Sequence, residues 1–183
     1  MKVGIVVPCY NNLDVLQQSI PSLYNDKFLI VVFDDNSSDG TSAWLSKNYP
    51  KIIQIKGDGN NWWTGSLAKG INKCISLDCK YILSVNADVV ISVDTIYKLI
   101  NTSKKYNNSI VASLVVDIEN PELILWAGSY FKKIHKLIPI FASKYIVKAG
   151  NLINKLPNEV YETDEVHGRG VLIPTSIIKK IGN

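Results

Sequence analysis

The sequence has few cysteines and no long hydrophobic run. Cys9, Cys74 and Cys79 are an odd number and form no C-x-x-C pair. Small buried hydrophobic side chains in a reducing cytosol are one interpretation, and a disulfide or metal site is the alternative. No apolar stretch reaches the roughly 18 residues needed to cross a bilayer, and the first residues lack the layout of a signal peptide. We therefore expect a cytoplasmic protein.

An excess of one charge is also nearly absent. The 183 residues include 20 Lys and Arg against 16 Asp and Glu, a formal net charge of +4. This excess favours phosphorylated ligands or an anionic surface, but it is too weak to indicate nucleic-acid binding. With 46% hydrophobic residues, the composition is that of a globular chain.

Short apolar runs alternate with amphipathic stretches up to about residue 117. Residues 3–7 are a β-branched run typical of a strand buried on both faces, and Asn12 is placed to cap the helix that follows. Four more strands are predicted at residues 28–33, 52–55, 81–85 and 110–116. The alternation predicts an α/β fold with a mostly parallel central sheet flanked by helices. Beyond it, residues 123–131 suit a strand or hairpin, residues 132–155 read as basic and irregular, and a strand at 171–173 precedes a short helix.

Polar residues follow three of these strands directly. Because the carboxyl ends of parallel strands meet at one edge, where open α/β sheets bind ligands, we expect these residues on one rim. The three sets are Pro8, Tyr10 and Asn11; Asp34 and Asp35; and Asn86, Ala87 and Asp88.

The two adjacent aspartates point to opposite sides of an extended chain, so one of them faces a ligand more easily. Asp34 or Asp35 would accept hydrogen bonds from a base N–H or a ribose hydroxyl. The alternative is that the segment forms a turn and caps the next helix, a role that we expect of Ser38 and Asp39.

Asp88 is the only carboxylate of its segment and directly follows an apolar strand. A buried, unpaired carboxylate costs several kcal/mol, so we expect a partner. Mn²⁺ or Mg²⁺ suits the position, because such ions bind through one or two carboxylates together with substrate phosphates. Capping of the following helix is the alternative.

Two further segments carry candidate binding residues. Residues 60–66 open a helix whose N-terminus attracts phosphate, and Gly65 permits a close backbone approach. The paired Trp62 and Trp63 would line a sugar or base pocket, and the alternative is that they belong to the core. The loop of His167, Gly168, Arg169 and Gly170 offers a planar guanidinium for bidentate phosphate contact, with a solvated surface turn as the alternative.

A group of lysines follows residue 131. It is expected to be a solvated face, and the alternative is contact with anionic lipid at the inner face of the membrane or with a polyanionic acceptor. The group consists of Lys132, Lys133, Lys136, Lys144 and Lys148.

Together these segments resemble the family 2 glycosyltransferases, inverting enzymes of GT-A fold with a Rossmann-like sheet. The matching pieces are residues 7–12, 34–41 and 86–88, and residues 57–65 and 168–174 are similar to the rhamnosyltransferase-like branch. The resemblance implies one GT-A domain, with a nucleotide-sugar-binding part at residues 1–117 and an incomplete acceptor-side part at 118–183.

The same resemblance implies a UDP- or dTDP-sugar donor and a glycan or lipid-linked saccharide acceptor. Pro8 and Tyr10 would line the base pocket, Asp35 would contact the base, and Asp88 would match the last acid of the DxD motif, with Asn86 in place of its first acid. A carboxylate base would activate the acceptor hydroxyl for direct displacement. The family motif that carries this base is expected beyond Asn183; Asp164 and Glu165 are the alternative candidates.

Two other functions fit part of the sequence. A nucleotide-binding or regulatory module is one, because the catalytic base is not evident. A sugar-1-phosphate nucleotidyltransferase is the other, although it would need a Gly-rich, Arg-containing loop after the first strand. An NAD-dependent enzyme is disfavoured, because no G-x-G-x-x-G follows that strand.

Overall fold

The computed structural model describes residues 2–134, 141–156 and 160–182. Lys136 of the predicted basic group lies outside this range, as does Asn183. The chain divides into two compact units, Met1–Val111 with Gly168–Asn183, and Ala112–His167. We call them the sheet unit and the hairpin unit. The predicted division at residue 117 into donor and acceptor parts stays a prediction.

The sheet unit is built on a six-stranded sheet in the order β3-β2-β1-β4-β10-β5. Its strands are β1 (Val3–Cys9), β2 (Leu29–Asp34), β3 (Ile53–Lys56), β4 (Tyr81–Ser84), β10 (Val171–Pro174) and the edge strand β5 (Val111–Ala112), at which the unit boundary falls. Strands β1 to β4 pair in parallel, and β10 runs antiparallel to β4. This confirms the predicted mostly parallel α/β sheet.

Helices cover both faces of this sheet. They are α1 (Leu13–Leu23), α2 (Thr41–Asn48), α3 (Trp62–Ser76), α4 (Val93–Lys105) and α5 (Thr175–Ile181). One face packs a large apolar cluster with α1 and α4, and the other packs a smaller cluster with α3 and α5. Every residue of β1 is buried, which agrees with its β-branched sequence.

The hairpin unit contains two antiparallel strand pairs. β6 (Val115–Val116) pairs with β7 (Ile124–Trp126), β8 (Ser129–Lys133) pairs with β9 (Phe141–Tyr145), and a 3-10 helix spans Ile153–Lys155. The prediction of a single strand at 110–116 was wrong, because residues 113–114, which lie between β5 and β6 in the chain, belong to neither strand. The predicted irregular region at 132–155 was also wrong in part, since cross-strand pairing orders β8 and β9.

Across the described ranges, no helix combines the length and the hydrophobicity that crossing a bilayer requires.

Candidate functional site

Strand register brings the predicted rim together. Cys9 at the end of β1 pairs with Asp34 at the end of β2, and Asp34 pairs with Lys56 of β3. The chain leaving β4 stays beside β1, because the Val85 N–H donates to the Val6 carbonyl over 3.0 Å. The segments that follow β1, β2 and β4 therefore begin at the same edge of the sheet, as the topology predicts.

The turn after β1 is tied to the turn after β2. The Asn11 N–H donates to Ser37 Oγ over 2.9 Å, and Asn11 Oδ1 accepts from the Ser38 N–H over 2.8 Å. Asn11 adopts φ = 47°, a left-handed conformation that asparagine tolerates better than most residues. Pro8 is buried within β1, whereas Tyr10 is 56% exposed. The fixed turn thus presents the Tyr10 ring to solvent.

Asp39, rather than Asn12, satisfies the N-terminus of α1. The Asn12 side chain accepts from the Tyr10 N–H, so its predicted capping bond to α1 was wrong. Asp39 Oδ2 instead accepts from the Leu13 N–H over 2.8 Å, while Asp39 Oδ1 accepts from the Thr41 N–H at the start of α2. Burial raises the pKa of Asp39, but these hydrogen bonds outweigh it, and the pKa is lowered. One carboxylate joins two helix starts.

Asp34 and Asp35 are both buried, each exposing 4% of its surface. Asp34 Oδ1 accepts from the Ser37 N–H over 2.9 Å, which closes its own turn. The turn role that the sequence left as an alternative is therefore present in Asp34.

Asp35 accepts four hydrogen bonds from the start of α3. Its Oδ1 accepts from the Gly59 N–H over 3.0 Å and from Asn61 Nδ2 over 2.8 Å. Its Oδ2 accepts from the N–H groups of Asn61 and Trp62 over 2.9 and 3.0 Å. Burial raises the pKa of Asp35, yet the hydrogen bonds prevail, and the pKa lies below its ordinary value. The predicted contact of Asp35 with a base remains a prediction.

Gly57 allows the chain to pass close to Asp35. A Cβ at this position would lie 2.3 Å from Asp35 Oδ1 and 2.8 Å from Phe33 Cε1. No side chain fits there, so the glycine fixes how closely the segment before α3 approaches the carboxylate.

The two tryptophans that begin α3 are not core residues. Trp62 is 82% exposed, and Trp63 is 46% exposed. The Trp63 Nε1–H donates to Asn86 Oδ1 over 2.9 Å, and a Cβ on Gly168 would lie 2.7 Å from the Trp63 ring. Trp63 therefore joins the segment after β4 to the loop before β10. Gly65 lies one turn into α3, where its N–H donates to the Asn61 carbonyl over 3.0 Å.

Asp88 forms an ion pair with Arg169, the only arginine in the sequence. Arg169 Nη2 lies 3.8 Å from Asp88 Oδ2, with the two side chains 35% and 51% exposed. The expectation of a buried Asp88 was wrong, because the chain turns outward directly after the buried Ala87. The Gly170 N–H donates to the Ser84 carbonyl over 3.0 Å, which places the loop beside the end of β4.

The surroundings of Asp88 fit a hard divalent cation that shares its coordination with a ligand. Asp88 supplies half-exposed carboxylate oxygens, the donor that Mg²⁺ and Mn²⁺ prefer, whereas Asn86 Oδ1 already accepts from the Trp63 Nε1–H. Within the described residues, no group of three or more His, Cys, Asp or Glu side chains could hold an ion. An ion at Asp88 would therefore need ligands from elsewhere, such as phosphate oxygens.

Asp164 and Glu165 hold the hairpin unit together. Asp164 Oδ2 accepts from the Phe131 N–H over 2.8 Å, and Glu165 Oε2 accepts from the hydroxyl of Ser129 over 2.5 Å. The His167 ring packs on Trp126, with centroids 5.2 Å apart. The described lysines of the basic group are all exposed: Lys132, Lys133, Lys144 and Lys148.

Residues 4–155 match the profile of the family described as Glycosyl transferase family 2. The chain belongs to glycosyl transferase family 2. Its fold is GT-A, as the resemblance implied. This family 2 chain is 24% identical to a poly(ribitol-phosphate) beta-glucosyltransferase of Bacillus spizizenii over an alignment of 192 positions that covers 97% of the chain and 27% of the relative.

Two solved structures share the fold of this family 2 chain. The mannosyltransferase PcManGT from Pyrobaculum calidifontis, in complex with GDP-Man and Mn²⁺, aligns with a TM-score of 0.60 and 16% identity over 100% of the chain and 47% of its own. S. aureus TarS 1-349 aligns with a TM-score of 0.62 and 16% identity over 98% of the chain and 49% of its own. The chain thus spans about a quarter of its curated relative and half of these structures.

Two structural features of this family 2 chain were not evident from its sequence. The sharing of Asp39 between α1 and α2 was missed, because Leu13 lies 26 residues away along the chain. The left-handed backbone of Trp62, with φ = 54°, was missed because bulky residues rarely adopt it. The Gly57-Asp58-Gly59-Asn60 segment was the available signal, since glycines before a helix indicate an unusual backbone path.

Proposed function

We propose that this chain binds the nucleotide-diphosphate sugar donor of a glycosyltransferase at the rim beyond β1, β2 and β4. The observation that carries the proposal is the pairing of Asp88 with Arg169 at this edge. One side chain suits a divalent cation and the other suits a phosphate, the two charged parts of a metal–diphosphate complex.

Asp88 would hold the cation, with the donor's diphosphate oxygens completing the coordination. A divalent cation bound there would neutralise the negative charge of the departing nucleoside diphosphate. Mn²⁺ or Mg²⁺ fits the oxygen donors, and PcManGT holds Mn²⁺ together with GDP-Man. We propose the same arrangement here with a UDP- or dTDP-sugar.

Arg169 would contact the diphosphate from the loop before β10. Its guanidinium offers several N–H donors in one plane, which matches two phosphate oxygens. Gly168 packs against the Trp63 ring on one side, and the Gly170 N–H is bonded to Ser84 on the other. This support limits the entropy that the loop loses when it meets the ligand.

The transfer itself would be a direct displacement at the anomeric carbon with inversion. The acceptor hydroxyl attacks, a carboxylate removes its proton, and the nucleoside diphosphate leaves. Asp164 and Glu165, the candidate bases within this chain, accept hydrogen bonds from Phe131 and Ser129 inside the hairpin unit.

A glycan or lipid-linked saccharide is the proposed acceptor. The relative from Bacillus spizizenii is named for poly(ribitol-phosphate), a polymer that carries phosphate groups. The net charge of +4 and the exposed lysines of the hairpin unit support an anionic acceptor or contact with the inner face of the membrane. Family 2 membership favours transfer over the sugar-1-phosphate nucleotidyltransferase.

Calorimetric titration with UDP and dTDP tests the proposed donor site. We expect binding in the presence of Mn²⁺ and at least about tenfold weaker binding after Mn²⁺ is removed by a chelator. Without the cation, the negative Asp88 carboxylate faces the negative diphosphate directly. The same affinity with and without Mn²⁺ would contradict a metal-bridged diphosphate. Preference for a nucleoside triphosphate with sugar 1-phosphate would favour the nucleotidyltransferase.

A further inference from the structure

Helix α3 ends in a turn that folds two cysteines toward each other. Asp78 adopts φ = 59°, a left-handed conformation that reverses the chain after the helix. The Cys79 N–H donates to the Cys74 carbonyl over 3.1 Å, and the Asp78 N–H donates to the Ile75 carbonyl over 3.0 Å. Helix ends of this type bring the side chains of the first and last residues of the turn together. Here both of these side chains are thiols.

The two sulfur atoms lie against the same point of strand β1. A Cβ on Gly4 would be 2.5 Å from Cys74 Sγ and 3.1 Å from Cys79 Sγ, so the glycine leaves the space that both sulfur atoms fill. Both cysteines are free and buried. Two free thiols that share one small space are placed to form a disulfide with little movement of the backbone.

A cavity of about 400 Å³ opens beside this pair, a volume within the range of small-molecule sites. Its wall includes Cys79 and Tyr81, and Tyr81 begins β4, so the cavity lies at the opposite end of that strand from the donor rim. The wall also carries the ammonium groups of Lys80 and Lys179 against the carboxylate of Asp78. This excess of positive charge favours an anionic molecule.

The two thiols differ in how readily they ionise. Burial raises the pKa of Cys74 to about 12, and a negative charge on Cys79 together with the hydrogen bond between the thiols adds to this effect. Burial also raises the pKa of Cys79, but the ammonium of Lys2 and the hydrogen bond from Cys74 oppose it. Cys79, the thiol beside the cavity, is therefore the first to supply a thiolate.

We propose that Cys74 and Cys79 are a redox modification site, at which an anionic low-molecular-weight disulfide converts the two thiols into an intramolecular disulfide. The oxidant enters the cavity and reacts with Cys79, and Cys74 resolves the intermediate. The new bond ties the end of α3 to the segment before β4. This site lies at the edge of the sheet opposite Asp88, so it is separate from the proposed donor site.

The chemistry consists of two successive thiol–disulfide exchanges. The Cys79 thiolate attacks one sulfur of the small disulfide, forms a mixed disulfide and releases the first small thiolate. The Cys74 thiolate then attacks the Cys79 sulfur and releases the second. The small disulfide is reduced to two thiols, which take up the two protons that the oxidised cysteines lose. Because Cys79 exposes only 2% of its surface, we expect oxidation of the native protein over hours.

Incubation of the native chain with oxidised glutathione, followed by alkylation and peptide mass mapping, tests this assignment. We expect a disulfide between Cys74 and Cys79 without bound glutathione, a free Cys9, and full reversal by a dithiol reductant. The thermal midpoint of the oxidised protein should rise by roughly 4–8 °C, because the bond restricts mainly the unfolded chain. A lower midpoint, or oxidation that occurs only in denaturant, would overturn the assignment.

Alanine variants separate the attacking thiol from the resolving thiol. Cys74→Ala should stop at a stable glutathione adduct on Cys79, whereas Cys79→Ala should leave Cys74 unmodified over the same time. Cys9→Ala is the matched control, since it also removes a buried thiol, and it should form the disulfide as wild type does. A glutathione adduct that persists in wild type would contradict the pairing of the two thiols.

The charge of the oxidant tests the role of the cavity. The double variant Lys80→Gln with Lys179→Gln should react at least about threefold more slowly with oxidised glutathione and at an unchanged rate with uncharged hydroxyethyl disulfide. Lys98→Gln with Lys104→Gln removes two exposed charges from α4 and is the control with the same net charge. Equal rates of the two double variants with oxidised glutathione would overturn the anionic class of oxidant.

Discussion

At the scale of single residues, the aspartates after β2 order neighbouring segments of the chain before they meet any ligand. Asp35 accepts four hydrogen bonds and Asp39 joins two helix starts, although both belong to a segment that the sequence marks for ligand binding. The two roles are compatible, because a carboxylate that orders the rim also fixes where neighbouring groups face a ligand.

The pKa of Asp35 predicts a loss of stability in acid. Its folded-state pKa lies below the ordinary value of 3.8, so its contribution is complete above that value and disappears as the pH falls through the folded-state pKa. We expect Asp35→Asn to lower the free energy of unfolding by about 1–2 kcal/mol at pH 7, as loss of a helix cap does. Below pH ~4, the free energy of unfolding of this variant should fall less steeply than that of wild type, because the titrating carboxyl group is gone. Urea unfolding across pH measures both.

The exposed Asp94 in the first turn of α4 gives the control for this experiment. Asp94→Asn should stay within about 0.5 kcal/mol of wild type at pH 7. If the free energy of unfolding of Asp35→Asn fell as steeply in acid as that of wild type, the acid sensitivity would come from other carboxylates, Asp39 first.

The sequence predicts which polar residues meet at the rim but not which of them pair. Parallel strands align Asp34 with Cys9 by topology, so the location follows from the order of elements. The partners of Asp35 lie 24 to 27 residues away, and the path of residues 57–61 depends on the close approach at Gly57. Such contacts are set by tertiary geometry, for which local periodicity holds no signal.

At the scale of elements, the packing of α3 on β1 depends on Gly70. A Cβ at Gly70 would lie 2.3 Å from Val6 Cγ1, in the middle of a fully buried strand. Helix α3 carries the two tryptophans at its start and the cluster residues Ile71 and Cys74 further along. The position of the rim tryptophans therefore depends on how closely this helix approaches the sheet.

Gly70→Ala should destabilise the protein although alanine favours helices. Helix propensity alone would stabilise it by about 1 kcal/mol, but overpacking against Val6 costs about 1–3 kcal/mol. We expect a net loss of stability in denaturant unfolding. Gly65→Ala in the same helix is the matched control, because its Cβ would lie 3.3 Å from Asn61 Cβ, a smaller overlap. Greater stability of Gly70→Ala than of wild type would contradict the close packing.

Element prediction succeeded where periodicity was long and failed where strands were short. The seven-residue β1 follows its predicted β-branched pattern. Helix α4 begins after a Ser92 cap, where the Thr95 N–H donates to Ser92 Oγ over 3.1 Å. The two-residue strands β5 and β6 are fragments of one apolar run. Strands this short are defined by their partners, which the local sequence does not specify.

At the scale of the whole molecule, the three cysteines report on the integrity of the sheet unit. All three are free and buried. A Cβ on Gly4 would lie 2.5 Å from Cys74 Sγ and 3.1 Å from Cys79 Sγ, so two thiols pack directly on β1. Burial raises the pKa of Cys74 to about 12 and also raises the pKa values of Cys9 and Cys79. The predicted buried hydrophobic role is confirmed.

Thiol labelling should therefore follow unfolding of the sheet unit. With an aromatic disulfide reagent at pH 8, we expect no reaction of the native protein over minutes and three thiols reacting in denaturant. Ser176→Cys adds an exposed thiol on α5, which should react at once and serves as the positive control. Rapid labelling of a native cysteine would show that this part of the core opens locally.

The overall architecture followed from the alternation of strands and helices, but the division into units did not. Strand β10 lies beside β4, although 86 residues separate Ser84 from Val171 in the chain. Most of these residues form the hairpin unit. A short strand returning into a sheet after a long insertion leaves only a local apolar run in the sequence. The glycine-flanked Arg169 before it was the more informative feature.

The central claim is that Asp88 holds a cation together with the donor diphosphate. Calorimetry of Asp88→Ala with UDP and Mn²⁺ tests it most directly, with the exposed carboxylate variant Asp94→Ala as control. We predict that Asp88→Ala reduces the Mn²⁺-dependent affinity for UDP by at least about tenfold, or about 1.4 kcal/mol, while Asp94→Ala binds as wild type does. Mn²⁺-dependent binding of equal affinity in Asp88→Ala would contradict the account.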